Sequence, residues 1–383
     1  MTFPSLLDLG ADQQAVLDLP FHGCHVVTGG PGTGKTVMAV FRAWALATAG
    51  RKVALLTRSN LLHQYLGQIA PDLTEAVEVT TYHRWVRAFW RSCFRNDVPR
   101  VGDDHWTYDW GEMQRICLLE KTRWPAHLVI DEGQALPLGF YELCRFIGVE
   151  VTVFADENQR IDDEQSTLSE MCRTLALPDG PLTLRENRRN SRGIAELAYA
   201  YRTRARQCAP LPERVAPTPV LLKVSSVGEF LTGVAQYFRA HPRRTIGIIC
   251  RTTHLLRSVH SELTHLGLAE HTQTYVHDDE YRNAMDFTRR HVRVVTTASM
   301  KGLEFDSVFV PDLDAYTEDP TGAESRLRFL VLCTRAREDL YLAFRGMQEP
   351  AVVADVPEAL LERRDARRGP RHARRTGSPR GRR

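Results

Sequence analysis

The chain has 383 residues, too many for one ordinary core and about right for two domains of roughly 150–200 residues each. Hydrophobic residues make up 43% and charged residues 25%, and no apolar run reaches the ~18 residues that a membrane helix needs. The eight cysteines contain no C-x-x-C pair, which argues against a zinc site or a disulfide framework, and the first residues lack the basic start and apolar stretch of a signal peptide. The expectation is a cytoplasmic protein with no membrane segment.

In chain order, short β-rich runs at 24–28, 53–57, 77–81, 127–131 and 149–155 alternate with amphipathic helical runs at 36–48 and 60–69. That alternation predicts βαβ units and a parallel sheet. A turn cluster, Pro178 to Pro181, marks a candidate boundary. A second series follows, with strands expected at 220–224, 245–250, 292–297, 307–310 and 340–344 and helices at 227–238 and 255–266. Past about Leu361 the chain is Arg, Gly, Pro and Ser without apolar periodicity, the composition of a disordered segment.

The net charge of +3 hides an asymmetry, because residues 363–383 hold ten arginines and one acid. This tail reads either as an electrostatic anchor for nucleic acid or as a solvated terminus. Only five lysines stand against 45 arginines, and two of them, Lys35 and Lys301, fall in the most distinctive strings of the chain.

The first of these strings is Gly29, Gly30, Pro31, Gly32, Thr33, Gly34, Lys35, Thr36, a match to G-x-x-x-x-G-K-[ST] between an apolar strand and a helix. Glycines let backbone N–H groups point inward, and the helix N-terminus adds positive potential, so the loop is built for phosphates. Lys35 then reaches the terminal phosphates and the Thr36 hydroxyl is a ligand for magnesium. Downstream, the apolar run His127–Ile130 ends in Asp131 and Glu132. A carboxylate at that strand end can hold magnesium through its water shell, and the next one can polarise an attacking water.

With these strings on view, the chain resembles the superfamily 1 helicases of the UvrD/Rep type. Asp131-Glu132-Gly133-Gln134 looks like their D-E-x-Q box, and Asp156 to Gln159 looks like their third motif. Leu184 to Arg189 resembles the N-Y-R motif, Lys301 to Phe305 nearly repeats K-G-L-E-F, and Thr334-Arg335-Ala336 fits T-R-A. The resemblance runs from residue 13 to about 345. It implies two tandem RecA-like α/β domains with parallel sheets: residues 1–181, with a small Trp-rich insert at about 84–125, and residues 182–361, followed by a disordered Arg-rich tail at 362–383. It implies ATP and Mg2+ in the cleft, with Lys35, Asp131 and Glu132 catalytic and Gln159 sensing the γ-phosphate. Arg189 and Arg335 become the transition-state cations, since an arginine from a second body can add ~10³–10⁵ in rate. Glu304 and Gly302 fall on the nucleotide side of the cleft, and Gln13 (with Gln14 nearly as good) and Arg188 beside the adenine. Arg58, Ser59, Asn60, Thr81 and His83 in the first half, and Arg251, Thr252 and Thr296 in the second, match the positions that grip a nucleic-acid backbone.

The sequence also departs from that pattern. Acidic residues at 162–164 stand where an aromatic usually stacks a base, Arg188 replaces the Tyr of N-Y-R, and Ala298 replaces a His. Only 47 residues lie between His83 and Asp131, and 49 between Arg251 and Lys301, too few for large inserted subdomains. The tryptophans at 85, 90, 106, 110 and 124 are either a base-stacking insert or the core of a helical one. The expected activity is nucleic-acid-dependent ATP hydrolysis with translocation or unwinding on single-stranded DNA (or RNA) in repair or defence. The alternative is an ATP-driven switch that acts with a protein partner, such as a nuclease or a repair or defence component. A P-loop kinase fits poorly, because it has no need of Glu304 and Arg335 so far along the chain.

Overall fold

The computed structural model describes residues 9–57, 60–69, 71–102, 107–156, 165–202, 210–275, 285–300 and 303–366, without the side chains of residues 60–63, 69 and 71–73. Thirteen strands are seen among them: β1 His25–Gly29, β2 Val53–Leu56, β3 Glu78–Thr80, β4 His127–Ile130, β5 Glu150–Ala155, β6 Leu182–Leu184, β7 Val220–Lys223, β8 Ile246–Cys250, β9 Thr272–Tyr275, β10 Val292–Thr296, β11 Phe305–Val310, β12 Ala336–Phe344 and β13 Glu362–Asp365. They form two sheets, ordered β3-β2-β4-β5-β1-β6 and β13-β7-β12-β11-β8-β10-β9. Neighbouring strands are parallel in both. The expected α/β architecture of two tandem RecA-like parallel sheets is what the chain adopts.

Helices cover both faces, so central strands are buried on both sides and read as continuous apolar runs rather than alternating ones. In the first sheet Val27, Leu55, Val129 and Phe154 face the helix Lys35–Thr48, which buries Met38, Ala39, Ala43 and Leu46 against them. The opposite face, with Val26, Leu128, Ile130 and Val153, packs on the helices Tyr82–Cys93 and Leu138–Ile147. Each such side chain contributes roughly 1.5–3 kcal/mol when fully buried.

Two expectations need correction. The chain does not leave the first sheet at 181, because β6 pairs with β1 in the register Val27↔Leu182. Leu-Thr-Leu is too short for any periodicity to show. The tail does not begin at 362, since β13 pairs with β7 through Glu362↔Val220. Backbone bonds at a sheet edge need no apolar side chains, so Glu-Arg-Arg-Asp carries no signal of a strand. Residues 367–383 lie outside the described residues. The strand β9, Thr-Gln-Thr-Tyr, went unforeseen for the same reason as β13.

The Trp-rich insert is a helical layer. Trp85 and Trp90 are buried, with Trp85 stacked on Phe89 at 5.5 Å and Trp124 edge-on to the same ring. These rings form core, not a stacking surface, and Trp106 lies outside the described residues.

Candidate functional site

Parallel sheets gather chemistry at the C-terminal ends of their strands. There the first sheet places the loop after β1, Asp131 after β4 and Asp156 after β5. Gly32 and Gly34 have φ of +85° and +88°, left-handed values that side chains rarely adopt. A side chain at Gly32 would also collide with the amide of Asn187. The loop therefore turns tightly beneath the helix that begins at Lys35. Within it the Thr33 hydroxyl donates to the Gly30 carbonyl at 2.9 Å.

Lys35 is buried, and its Nζ donates to the carbonyls of Gly29 (2.8 Å) and Gly30 (3.0 Å) and to Asp156 Oδ2 (3.3 Å). The Thr36 hydroxyl donates to Asp131 Oδ2 at 2.9 Å. Asp131 Oδ1 is buried and makes no hydrogen bond. Burial, and then the charge of adjacent Glu132, push the Asp131 carboxyl up to about 7. A buried, under-satisfied carboxylate oxygen beside a hydroxyl is a donor set that suits a hard dication such as Mg2+, which would also offset that charge. Residues Thr36 and Asp131 thus fit the metal.

Glu132 sits in the left-handed region, φ 58°, which turns its side chain away from the line of β4. Gln134 holds it, donating from Nε2 to Glu132 Oε2 at 2.6 Å while its Oε1 accepts the Asp156 amide at 2.9 Å. Gln134 therefore ties the Glu132 carboxylate to the end of β5, next to the partner of Lys35. Gln159 lies outside the described residues.

The second sheet faces this rim with the N-terminal ends of β11 and β12. Glu304 precedes β11 and Arg335 precedes β12, and the strands pair at Phe305↔Ala336. Arg335 is buried, donating to the carbonyls of Val331 (3.0 Å) and Leu303 (3.1 Å). Burial, reinforced by the Arg189 charge, lowers it to about 10, while Glu304, Glu132 and Asp156 oppose that shift. Arg189 makes an ion pair with Glu304. Burial raises Glu304, but Arg189 and Arg335 outweigh it and hold the carboxyl below its usual range. Both expected arginines are therefore gathered with Glu304 opposite the phosphate loop. Gly302 lies outside the described residues.

Gln13 is buried, donating to the Thr33 carbonyl at 3.2 Å and accepting from the Gly10 amide at 3.3 Å. Arg188 donates its backbone N–H to the Gly32 carbonyl at 2.9 Å, and its guanidinium lies against Gly10 and pairs with Glu186. Both thus border the loop.

Sequence reading gave Asn190 no role. It is buried, and its Nδ2 donates to the carbonyls of Thr334 (3.2 Å) and Ala336 (2.6 Å), the residues on either side of Arg335. Asn187 Nδ2 donates to Asn190 Oδ1 at 3.1 Å, and Asn187 Oδ1 accepts the Arg189 amide at 3.1 Å. An Asn-x-x-Asn spacing beside the arginines was the available signal.

Among the expected nucleic-acid contacts, Arg58 and Ser59 lie outside the described residues. Asn60 begins a helix, and its side chain is not described. Thr81 is the N-cap of the helix Tyr82–Cys93, and His83 Nδ1 lies 3.2 Å from the Tyr108 hydroxyl. Arg251 follows β8, pairs with Glu318 and lies over the Tyr316 ring. Thr252 caps the next helix by accepting the Leu255 amide at 3.2 Å, and the buried Thr296 bonds Ser299 at 2.9 Å. The second-sheet group shares one rim, but each member is already engaged by the protein. No helix among the described residues is long and apolar enough to cross a membrane.

A family model described as an AAA domain matches residues 12–164. No curated protein matches the chain. Among solved structures, a DUF1998 helicase, MrfA, bound to DNA aligns over 92% of this chain and 51% of its own, with 12% identity and a TM-score of 0.50. The chain thus spans about half the length of that protein. The C-terminal domain of a possible DNA helicase from Lactobacillus plantarum WCFS1 aligns over 46% of this chain and 97% of its own, with 20% identity and a TM-score of 0.35. The phosphate loop, the carboxylates beside it and the match over residues 12–164 make the first half similar to a P-loop AAA domain, within a fold that the helicase MrfA shares.

Proposed function

We propose that this protein is a nucleic-acid-stimulated ATPase of the superfamily 1 helicase type, with ATP and Mg2+ between the two sheets. The observation that carries the proposal is the gathering of Arg189, Arg335 and Glu304 opposite Lys35, Thr36 and Asp131, residues far apart in sequence. Phosphoryl transfer is catalysed mainly by positioning and charge neutralisation. Lys35 would exchange its loop carbonyls and Asp156 for the β- and γ-phosphates. Thr36 and Asp131 would hold Mg2+, which when bound neutralises phosphate charge. Glu132, fixed by Gln134, would accept a proton from the attacking water. Arg335 and Arg189 would meet the γ-phosphate from the second sheet, so hydrolysis would be tied to how the sheets close. Gln13 and Arg188 would border the base.

The substrate strand would be single-stranded DNA, or RNA, running over the strand ends that carry Thr81, His83, Arg251, Thr252 and Thr296. A second reading, an ATP-driven switch acting with a nuclease or another repair or defence component, is favoured by the buried Trp85 and Trp90. Neither of these two rings can stand in for the aromatic missing after Gln159. ATP turnover measured with and without a single-stranded oligonucleotide, alongside strand displacement on a tailed duplex, tests both. Stimulated hydrolysis with little unwinding by the protein alone is expected. Absence of stimulation would sink the proposal, and efficient unwinding without a partner would sink the switch.

A further inference from the structure

Besides the nucleotide cleft, the two sheets meet a second time, through a short stretch of backbone gripped by glutamines. Residues 285–287 lie between β9 and β10 of the second sheet, whereas Gln64 and Gln68 lie one turn apart on the helix Asn60–Ile69, which follows β2 of the first. Gln68 donates from Nε2 to the Met285 carbonyl at 2.6 Å and accepts the Phe287 amide on Oε1 at 2.8 Å. Gln64 Oε1 accepts the Met285 amide at 3.2 Å. From the second sheet, Gln273 on β9 takes both groups of the residue between them, donating to the Asp286 carbonyl at 2.7 Å and accepting its amide at 2.9 Å. The stretch is held as a strand would be, but by side chains, which binds it to both sheets at once.

An aromatic contact locks the same joint. Phe287 meets Tyr65 edge-on at 5.4 Å and packs against the cores of both sheets. The buried Arg293 of β10 lies over the Phe287 ring at 4.9 Å. Glutamine bonds of this kind are selective, because the amide offers a donor and an acceptor in fixed geometry, and only a backbone in register satisfies both.

Both sides of the joint lead to functional rims. The helix Asn60–Ile69 is the first element after residues 57–59, and β10 runs from the joint to Thr296 and on toward Glu304, the partner of Arg189. We infer that Gln64 and Gln68 are positioning residues that couple the strand-binding rim of the first sheet to closure of the nucleotide cleft. The inference rests on the ATPase reading above. A bound strand that shifts the helix would pull residues 285–287 and β10 with it, and so shift Glu304 and Arg189 toward the phosphate loop. Without the glutamines the nucleotide pocket keeps its own bonds but no longer senses the strand.

The test compares the full chain with Q64A/Q68A and Q68E in steady-state ATP turnover, with and without single-stranded oligodeoxythymidylate, and in hydrogen exchange of residues 285–287. In Q64A/Q68A, basal kcat and KM for ATP should stay within about twofold, stimulation should fall at least about tenfold, and the Met285 and Phe287 amides should exchange faster. Q68E loses the donor, sets a carboxylate against the Met285 carbonyl, and should behave like the double variant. Equal stimulation in parent and double variant, unchanged exchange, or a drop in basal kcat matching the drop in stimulated kcat would overturn the coupling. A parent protein indifferent to the oligonucleotide would instead overturn the ATPase reading.

Discussion

Asn190 Nδ2 lies 2.6 Å from the carbonyl oxygen of Ala336, which anchors the segment after β6 to the strand that begins just past Arg335. With its second bond to the Thr334 carbonyl, this buried amide brackets the arginine from both sides and fixes where its guanidinium emerges.

Asn190→Ala should therefore cost more than a bond. Two buried carbonyls lose their donor, which destabilises by roughly 1–3 kcal/mol. ATP turnover should fall by at least about tenfold because Arg335 is no longer held. Urea unfolding and steady-state kinetics check the two effects separately, and a variant with the predicted loss of stability but parental kcat would disprove the positioning role.

Glu132→Gln should bind nucleotide normally and stop hydrolysing it. An amide satisfies Gln134 equally well but cannot take a proton from water, and lost general-base catalysis is worth ~10²–10⁴ in rate. Lys35→Ala should lose turnover as well, since it removes the cation from a buried loop. Titration with a fluorescent ATP analogue and single-turnover hydrolysis distinguish binding from chemistry. Undiminished hydrolysis in Glu132→Gln would rule out the base.

Arg335→Ala and Arg189→Ala should each lower kcat by ~10³ or more with nucleotide affinity within about tenfold. Arg335→Lys should not restore it. The guanidinium uses separate N–H groups for Val331 and Leu303, a fork that a lysine cannot copy. Recovery of rate by lysine would mean that charge alone matters.

Acid should destabilise the first sheet through His127. Its ring is fully buried between strands, with Nε2 2.8 Å from the Thr152 hydroxyl, and burial, with Arg42 adding to it, lowers its pKa to about 4. The unfolded chain takes up this proton near pH 6.5 and the folded one only near 4, so stability is constant above 6.5 and falls as pH drops between the two. From pH 7 to 5 the loss is about 2 kcal/mol. His127→Gln should flatten that part of a urea-melt pH profile, and an unchanged slope would show that the ring is not the source.

The sequence by itself determined the two parallel sheets, the phosphate loop and the carboxylate pair after β4. Each rests on local order: apolar runs long enough to be buried on both faces, glycines where φ must be positive, and acids at the end of a strand. It determined equally which arginines to consider, since the strings around Arg189 and Arg335 are ordered along the chain. Tertiary structure decided everything that depends on who meets whom. Glu304 pairs with Arg189 across more than a hundred residues, Asn190 reaches the two carbonyls around Arg335, and parallel β11 and β12 set Glu304 and Arg335 side by side at their starts. Trp85 and Trp90 became core because the helix Tyr82–Cys93 turns them onto the sheet, a choice of face that composition does not reveal. Strands β6, β9 and β13 escaped notice because each lies at a sheet edge without the apolar run of a central strand, and their pairing energy lies in backbone bonds that every sequence can make.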